Sequence, residues 1–378
     1  MSDRASIDAA PAPSTAMETP LLRSLSAGPF SSVAVEHHGA RSMASCSTTA
    51  QELAALLTTA GVYDLGWRTH LRCTGKDRVR WLNGMVTNHV GALAPNAGCY
   101  AFVLNAQGRI QGDMDIYQRG DALWLETDLA QAAALTAFLE RFIIMDDVAL
   151  EASSAWTPLG IAGPGAPAVL RQLGLETEGL TPLALRECAW DKTPVLLMAV
   201  YGPLVPRFEL WTTPEQIVPL WDALQTAGAN ACGTMAWEQL RVLEGAPAYG
   251  TDITQDHLPQ ETCQDRALHF AKGCYLGQEV VERIRSRGHV HRVFTGFVLE
   301  AGAGIPLADT HLMAEGQIVG ELTSVARITL PNGKEKTFAL GHARREALDK
   351  KSVLSAGGET VVPAPLPFDW KGIDGPQR

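Results

Sequence analysis

The sequence predicts an α+β fold, and three observations predict it. Strand-like segments between residues 99 and 127 are followed by one amphipathic helix, so strands and helices come in unequal blocks rather than strict alternation. A second block of the same kind runs from about 150 to 235. From about 291, short strands alternate with Gly- and Pro-containing turns, the pattern of a small closed β-domain. The chain therefore divides into a tail (1–46), a region of two α+β units (47–290), and a C-terminal β-barrel domain with its own tail (291–378).

Residues 1–46 are rich in Ala, Ser and Pro and poor in large apolar groups, which cannot offset the entropy of ordering a chain. This segment is expected to be disordered, with Met43 a candidate start. Order is expected to begin at Thr49-x-x-Glu52, the spacing of a capping box, followed by Leu53, Leu56, Leu57 and Ala60 at helical intervals and closed by Gly61. "VYDLGWRTHLRCTG" (62–75) alternates as strands do, and Asp77 can cap a short helix over 78–83 that ends at Gly84. "CYAFVLN" (99–105), "RIQGDMDIY" (109–117) and "ALWLET" (122–127) form a meander through Gly-containing turns. A helix over 129–142 follows, and Pro214 opens another whose Ile217, Leu220, Trp221 and Leu224 share one face. "HRVFTGFVLE", "QIVGELTSV" and "TFALGHA" supply barrel strands.

With 46% hydrophobic and 19% charged residues, 378 residues can bury a sizeable core. A net charge of −10 and a pI near 5.5 argue against general nucleic-acid binding. The richest apolar window, 195–205, is broken by Gly202-Pro203 and is too short to span a membrane. No charged-then-apolar leader opens the chain, so a cytoplasmic protein is expected. Seven cysteines (46, 73, 99, 188, 232, 263, 274) lack zinc-site or disulfide-scaffold spacing, and six are expected to be reduced, buried packing groups. Walker A, G-x-G-x-x-G, H-E-x-x-H and G-x-S-x-G motifs are missing, and His289-Val290-His291 lacks companion ligands, so no metal site is expected.

Four constellations could carry chemistry. Period-two alternation places Asp113, Asp115 and Tyr117 on one strand face, where an acid could hold a proton beside a bound amine; an acidic solvent face reads equally well. Glu244 ends a helix at Gly245 and Pro247, and its two oxygens suit a guanidine-like edge such as that of a pterin, though an exposed helix end explains it as well. Cys274 stands between glycines near Lys272, whose ammonium favours the thiolate; plain packing is the alternative. Arg283, Arg285 and Arg287 would form a comb for an anionic tail if their segment were a strand.

"KGCYLGQEVVER" (272–283) resembles the signature of the YgfZ family, folate-binding proteins that assist maturation of iron–sulfur enzymes. Over roughly 50–345 the chain is also similar to the aminomethyltransferase (T-protein) of the glycine cleavage system, through 61–88, 240–253, "GELTSVARI" and "FALGHA". The resemblance implies α+β domains around a central pocket, a C-terminal barrel, and tetrahydrofolate as cofactor. It implies that Glu244 holds the pterin, that Asp113 is the catalytic acid, and that Cys274, with Lys272, marks the YgfZ branch. Tyr249, Gln278 and Arg283 are further candidate folate contacts. Two T-protein motifs depart: Asp-Leu-Ser becomes Asp64-Leu65-Gly66 and Thr-Asn-Asp becomes Thr87-Asn88-His89. The leading expectation is a tetrahydrofolate-binding accessory factor for assembly or repair of iron–sulfur enzymes, its partners, with indirect effects on tRNA modification. The alternatives are a tetrahydrofolate-dependent aminomethyltransferase or demethylase using Asp113, and a folate-sensing scaffold. Neither direct nucleic-acid binding nor membrane association is expected.

Overall fold

The computed structural model describes residues 16–25, 33–299 and 308–372. The meander forms as its alternation dictates. Gly98–Leu104, Ile110–Arg119 and Ala122–Asp128 pair in sequence order, and Arg68–Thr74 and Ala149–Ser153 complete a five-stranded antiparallel sheet. Met114 and Ile116 pack toward Leu135 and Leu139 of the helix Leu129–Glu140, which leaves Asp113, Asp115 and Tyr117 on the opposite face.

The second unit is a six-stranded sheet in the order Ala184–Trp190, Thr193–Val200, Arg207–Thr212, Thr157–Ala162, Gly61–Asp64, Asn230–Cys232, antiparallel except for its last pair. One face is covered by the helices Ala166–Gln172 and Ile217–Thr226, and Ile217, Leu220, Trp221 and Leu224 are buried there as expected. The other face meets the first sheet, where Tyr117 and Trp124 pack on Leu196, Met198 and Trp211. Six strands between Arg292 and Ala364 close into a barrel. It is not a separable appendage: Phe294, Phe338 and Leu340 share a core with Leu240 and Leu243 of the helix Thr234–Glu244. Asp252, fully buried, joins the two parts, accepting from Arg241 (2.7 Å) and the Ala248 amide (2.9 Å) on one oxygen and from the barrel's Thr323 and Ser324 on the other. Among the described residues no helix is long and apolar enough to cross a membrane.

Four expectations are corrected. The disordered tail fails for 16–25 and 33–46; the remainder of 1–46 lies outside the described residues. Met17–Glu18 and Ala34–His37 flank Ala40–Met43 in a small sheet, and Pro20–Leu25 sends Leu21 and Leu22 into the core of the second unit. The average composition concealed a few large residues that an existing apolar surface buries. At the first long helix, Thr48 rather than Thr49 is the N-cap, accepting from the Gln51 amide. Glu52 instead turns inward, accepting from the Cys46 (2.6 Å), Ser47 and Gly233 (2.8 Å) amides. Residues Gln278–Arg287 are helical, so Arg283 and Arg285 are about 200° apart around the axis and form no comb. Of the six cysteines expected to be buried, Cys263 is exposed and Cys46 and Cys188 are only half-buried.

Removing the residues before Met43 is therefore expected to destabilise the protein, contrary to the expectation of a disordered tail. Leu21→Ala alone should cost about 2–5 kcal/mol, read as a lower denaturant midpoint at unchanged slope.

Candidate functional site

Where the two sheets meet the loop after Thr234–Glu244, a cleft holds about 860 Å³ of open space, mouth included. Asp113 and Asp115 come from the first sheet and Glu209 from the second, Tyr249 from the loop, and His38 from the N-terminal hairpin. Arg266 stands at the mouth, its guanidinium stacked between Tyr100 (4.1 Å) and Tyr201 (4.4 Å).

Asp113 is held by neighbours on two elements. Its Oδ2 accepts from the Tyr100 hydroxyl at 2.6 Å, and its Oδ1 from Gln131 Nε2 at 2.7 Å. Gln131 lies in the first turn of the helix that follows the meander, which brings its amide over the strand. Burial pushes the Asp113 carboxyl above its ordinary range, against these hydrogen bonds.

Behind Asp113 lies a buried fork. Arg68 stands directly across from Asp128, and Glu126 across from both His70 and Asp115, so Arg68 and its three acids share one sheet face with His70. Arg68 reaches Glu126 at 2.6 Å, Asp128 at 2.8 Å and Asp115 at 3.4 Å. Burial pushes Asp115 up to about 6 against the pull of Arg68, and pushes Glu126 well above the carboxylate range. Asp128 is the reverse case: burial opposes ionisation, yet His38 (2.9 Å) and Arg68 hold its carboxyl well below the ordinary value.

The other expected residues lie elsewhere. Glu244 does end its helix, with Gly245 left-handed at φ 68°, but its carboxylate is fully buried and engaged by Arg207 at 2.7 Å, and it lines a neighbouring cleft. Lys272, Cys274, Gln278 and Arg283 line none of the described clefts. Lys272 does not serve the thiol. Its ammonium donates to the carbonyls of Asn83 (2.6 Å), Val86 (2.7 Å) and Asn88 (2.6 Å), which uses all three of its protons, while burial lowers its pKa to about 8. Tyr275 is buried beside Tyr100 and Phe102, and Gln278 folds back to accept from the Tyr275 amide at 3.3 Å. Gly277 is left-handed at φ 80°, and a Cβ there would meet the Asn105 carbonyl at 2.6 Å. The motif thus builds a braced loop from which Cys274 is exposed.

Sequence reasoning missed Arg68, Glu209 and Arg266. For Glu209 a signal existed: "RFELW" alternates, so an acid sits mid-strand beside Trp211 on the face that meets the other sheet, and a buried acid needs a partner. Trp211 Nε1 supplies it at 3.0 Å.

Lys272→Met should cost roughly 2–3 kcal/mol by stranding three carbonyls. It should also speed amide exchange in 272–277 while leaving the cleft unchanged.

Residues 30–272 match the GCVT N-terminal domain family. An aminomethyltransferase of Streptomyces coelicolor is 29% identical over 288 residues, 73% of this chain and 77% of that protein. One from Geobacillus thermodenitrificans is 28% identical over 336 residues, 85% of this chain and 90% of that one. The crystal structure of the glycine cleavage system aminomethyltransferase T from Bartonella henselae superposes with a TM-score of 0.82 at 19% identity, covering 94% of this chain and 98% of that one, which gives the same fold, barrel included. With its two sheets, closed barrel and a family match spanning well over half its length, this chain belongs to the GCVT N-terminal domain family.

Proposed function

We propose that the cleft binds tetrahydrofolate and that Asp113 takes or holds the proton of an amine that donates a one-carbon unit, the chemistry of an aminomethyltransferase or demethylase. The observation that carries this reading is Asp113 itself, on the cleft wall and fixed through both oxygens by Tyr100 and Gln131. The donor set fits the cofactor. Glu209, 6% exposed on the cleft wall with one oxygen fixed by Trp211, suits the amino-pyrimidine edge that the resemblance assigned to Glu244. Asp115 Oδ1 is buried without a hydrogen-bond partner and can accept from a ligand. Tyr100 and Tyr249 offer aromatic walls, and Arg266 at the mouth suits a carboxylate tail. Bound tetrahydrofolate supplies the acceptor for the one-carbon unit. Asp113 must be ionised to act as base, and burial raises its pKa, so activity should fall on the acid side at a pH above the ordinary carboxylate range.

Asp113→Asn should retain tetrahydrofolate binding yet lower formation of methylenetetrahydrofolate, with release of ammonia, from a thiol-bound aminomethyl donor by about 10²–10⁴. Glu209→Gln should weaken tetrahydrofolate binding roughly tenfold or more. Unchanged binding in that variant overturns the cleft assignment.

A second reading rests on a different observation: Cys274 is exposed on a loop braced by Lys272, Tyr275 and Gly277, within the segment 272–283 that resembles the YgfZ signature. In this reading the protein binds folate and assists iron–sulfur enzymes, with the thiol meeting the client. Cells whose only copy carries Cys274→Ser should lose activity of an iron–sulfur enzyme such as aconitase while the variant stays folded and binds tetrahydrofolate normally. Unaltered aconitase activity returns Cys274 to a passive role.

A further inference from the structure

The N-terminal hairpin brings two histidines side by side, of which His38 lines the cleft. Ala34–His37 and Ala40–Met43 are joined by a two-residue turn with both φ angles positive, 45° at His38 and 91° at Gly39, the turn type that matches strand twist. Successive side chains on a strand point to opposite faces. The left-handed backbone at His38 breaks that alternation and brings its ring beside that of His37, with centroids 4.1 Å apart. Glu238, on the helix Thr234–Glu244, completes a group in which one ligand atom from each of the three residues lies within 4.8 Å of the others.

Each donor is arranged for ligation. His37 Nε2 is buried without a hydrogen-bond partner, 3.5 Å from Glu238 Oε1. His38 Nδ1 lies 2.9 Å from Asp128 Oδ2, the carboxylate contact that orients a metal-bound imidazole and leaves Nε2 as the ligand. Glu238 is fixed by Arg241, whose Nε donates to Oε1 (3.1 Å) and Oε2 (3.0 Å) and whose Nη2 lies 2.9 Å from Oε2, so Oε1 keeps a further lone pair for a metal. Metal–nitrogen distances of about 2.0–2.1 Å call for donors about 3–3.5 Å apart, so modest side-chain rotations complete the set.

We propose that His37, His38 and Glu238 form a site for a divalent transition metal, with His38 shared between it and the folate cleft. Two imidazoles and one carboxylate suit Zn²⁺ or Fe²⁺ and leave coordination positions open. No sequence pattern announces the site, because two adjacent histidines and a glutamate two hundred positions later meet only through the hairpin's docking.

The test uses the full chain without a polyhistidine tag, stripped with EDTA and titrated with Co²⁺, with Zn²⁺ as competitor. One equivalent of Co²⁺ should bind with visible ligand-field bands and be displaced by Zn²⁺. His38→Asn, at a position where Asn tolerates a positive φ, and Glu238→Gln should each weaken binding by roughly 100-fold, and Asp128→Asn by about 10–100-fold. Thermal melts in EDTA identify folded variants. His37→Asn serves as a further arm if it folds, since His37 also packs on Trp67. Failure of the stripped wild-type chain to retain Co²⁺ or Zn²⁺ through gel filtration overturns the proposal, as does undiminished binding in folded His38→Asn and Glu238→Gln.

Discussion

The cleft depends on one half-buried cation. Among the described residues Arg68 is the single guanidinium in salt-bridge contact with Asp115, Glu126 and Asp128, acids that a mostly apolar inter-sheet layer could not otherwise keep together. An unpaired buried charge costs several kcal/mol, so each partner of the fork is required once the others are present. Because the four groups descend from cross-strand pairs on one face, register alone brings them together, and a slip by one residue would turn every one of them toward the opposite core. The same register fixes Asp113, two positions before Asp115 on the same strand, at the cleft wall.

Three parts of the chain complete the cleft, and polar contacts join them. The His38 carbonyl accepts from the Ala130 amide at 2.9 Å, which docks the N-terminal hairpin on the start of the helix after the meander. Gly39 is required there, since a Cβ would meet the Ala130 nitrogen at 2.7 Å. Asp252 ties the loop that carries Tyr249 to the barrel. Glu52 ties the first long helix to Gly233, just ahead of the helix that carries Glu238. Chemistry on one sheet is thus held in place by contacts between residues that lie from 71 to 181 positions apart in sequence.

That separation explains what could be read in advance. Alternation and turn residues placed the meander, the helix with Ile217 and Trp221, and the barrel strands, because their cause is local. The same alternation set Asp113 and Asp115 on one face. The fork could not be read, because nothing local pairs Arg68 with acids some fifty to sixty positions later. The surroundings of Glu244 were hidden for the same reason: its place at a helix end is visible in sequence, but the Arg207 that pairs with one oxygen of its carboxylate is not. The ordered part of 16–46 was hidden because composition averages over the few side chains that bind a ready-made apolar surface.

The loop of 272–277 separates scaffolding from display. Lys272, Tyr275 and Gly277 are each committed to interior contacts, whereas Gly273 has nothing within 4 Å of a Cβ and Cys274 is exposed. Substitution at position 274 therefore leaves the fold's energetics almost untouched, and lineages can exchange the chemistry shown there without rebuilding what lies beneath. The demands of folding and the properties of that exposed side chain are thereby uncoupled.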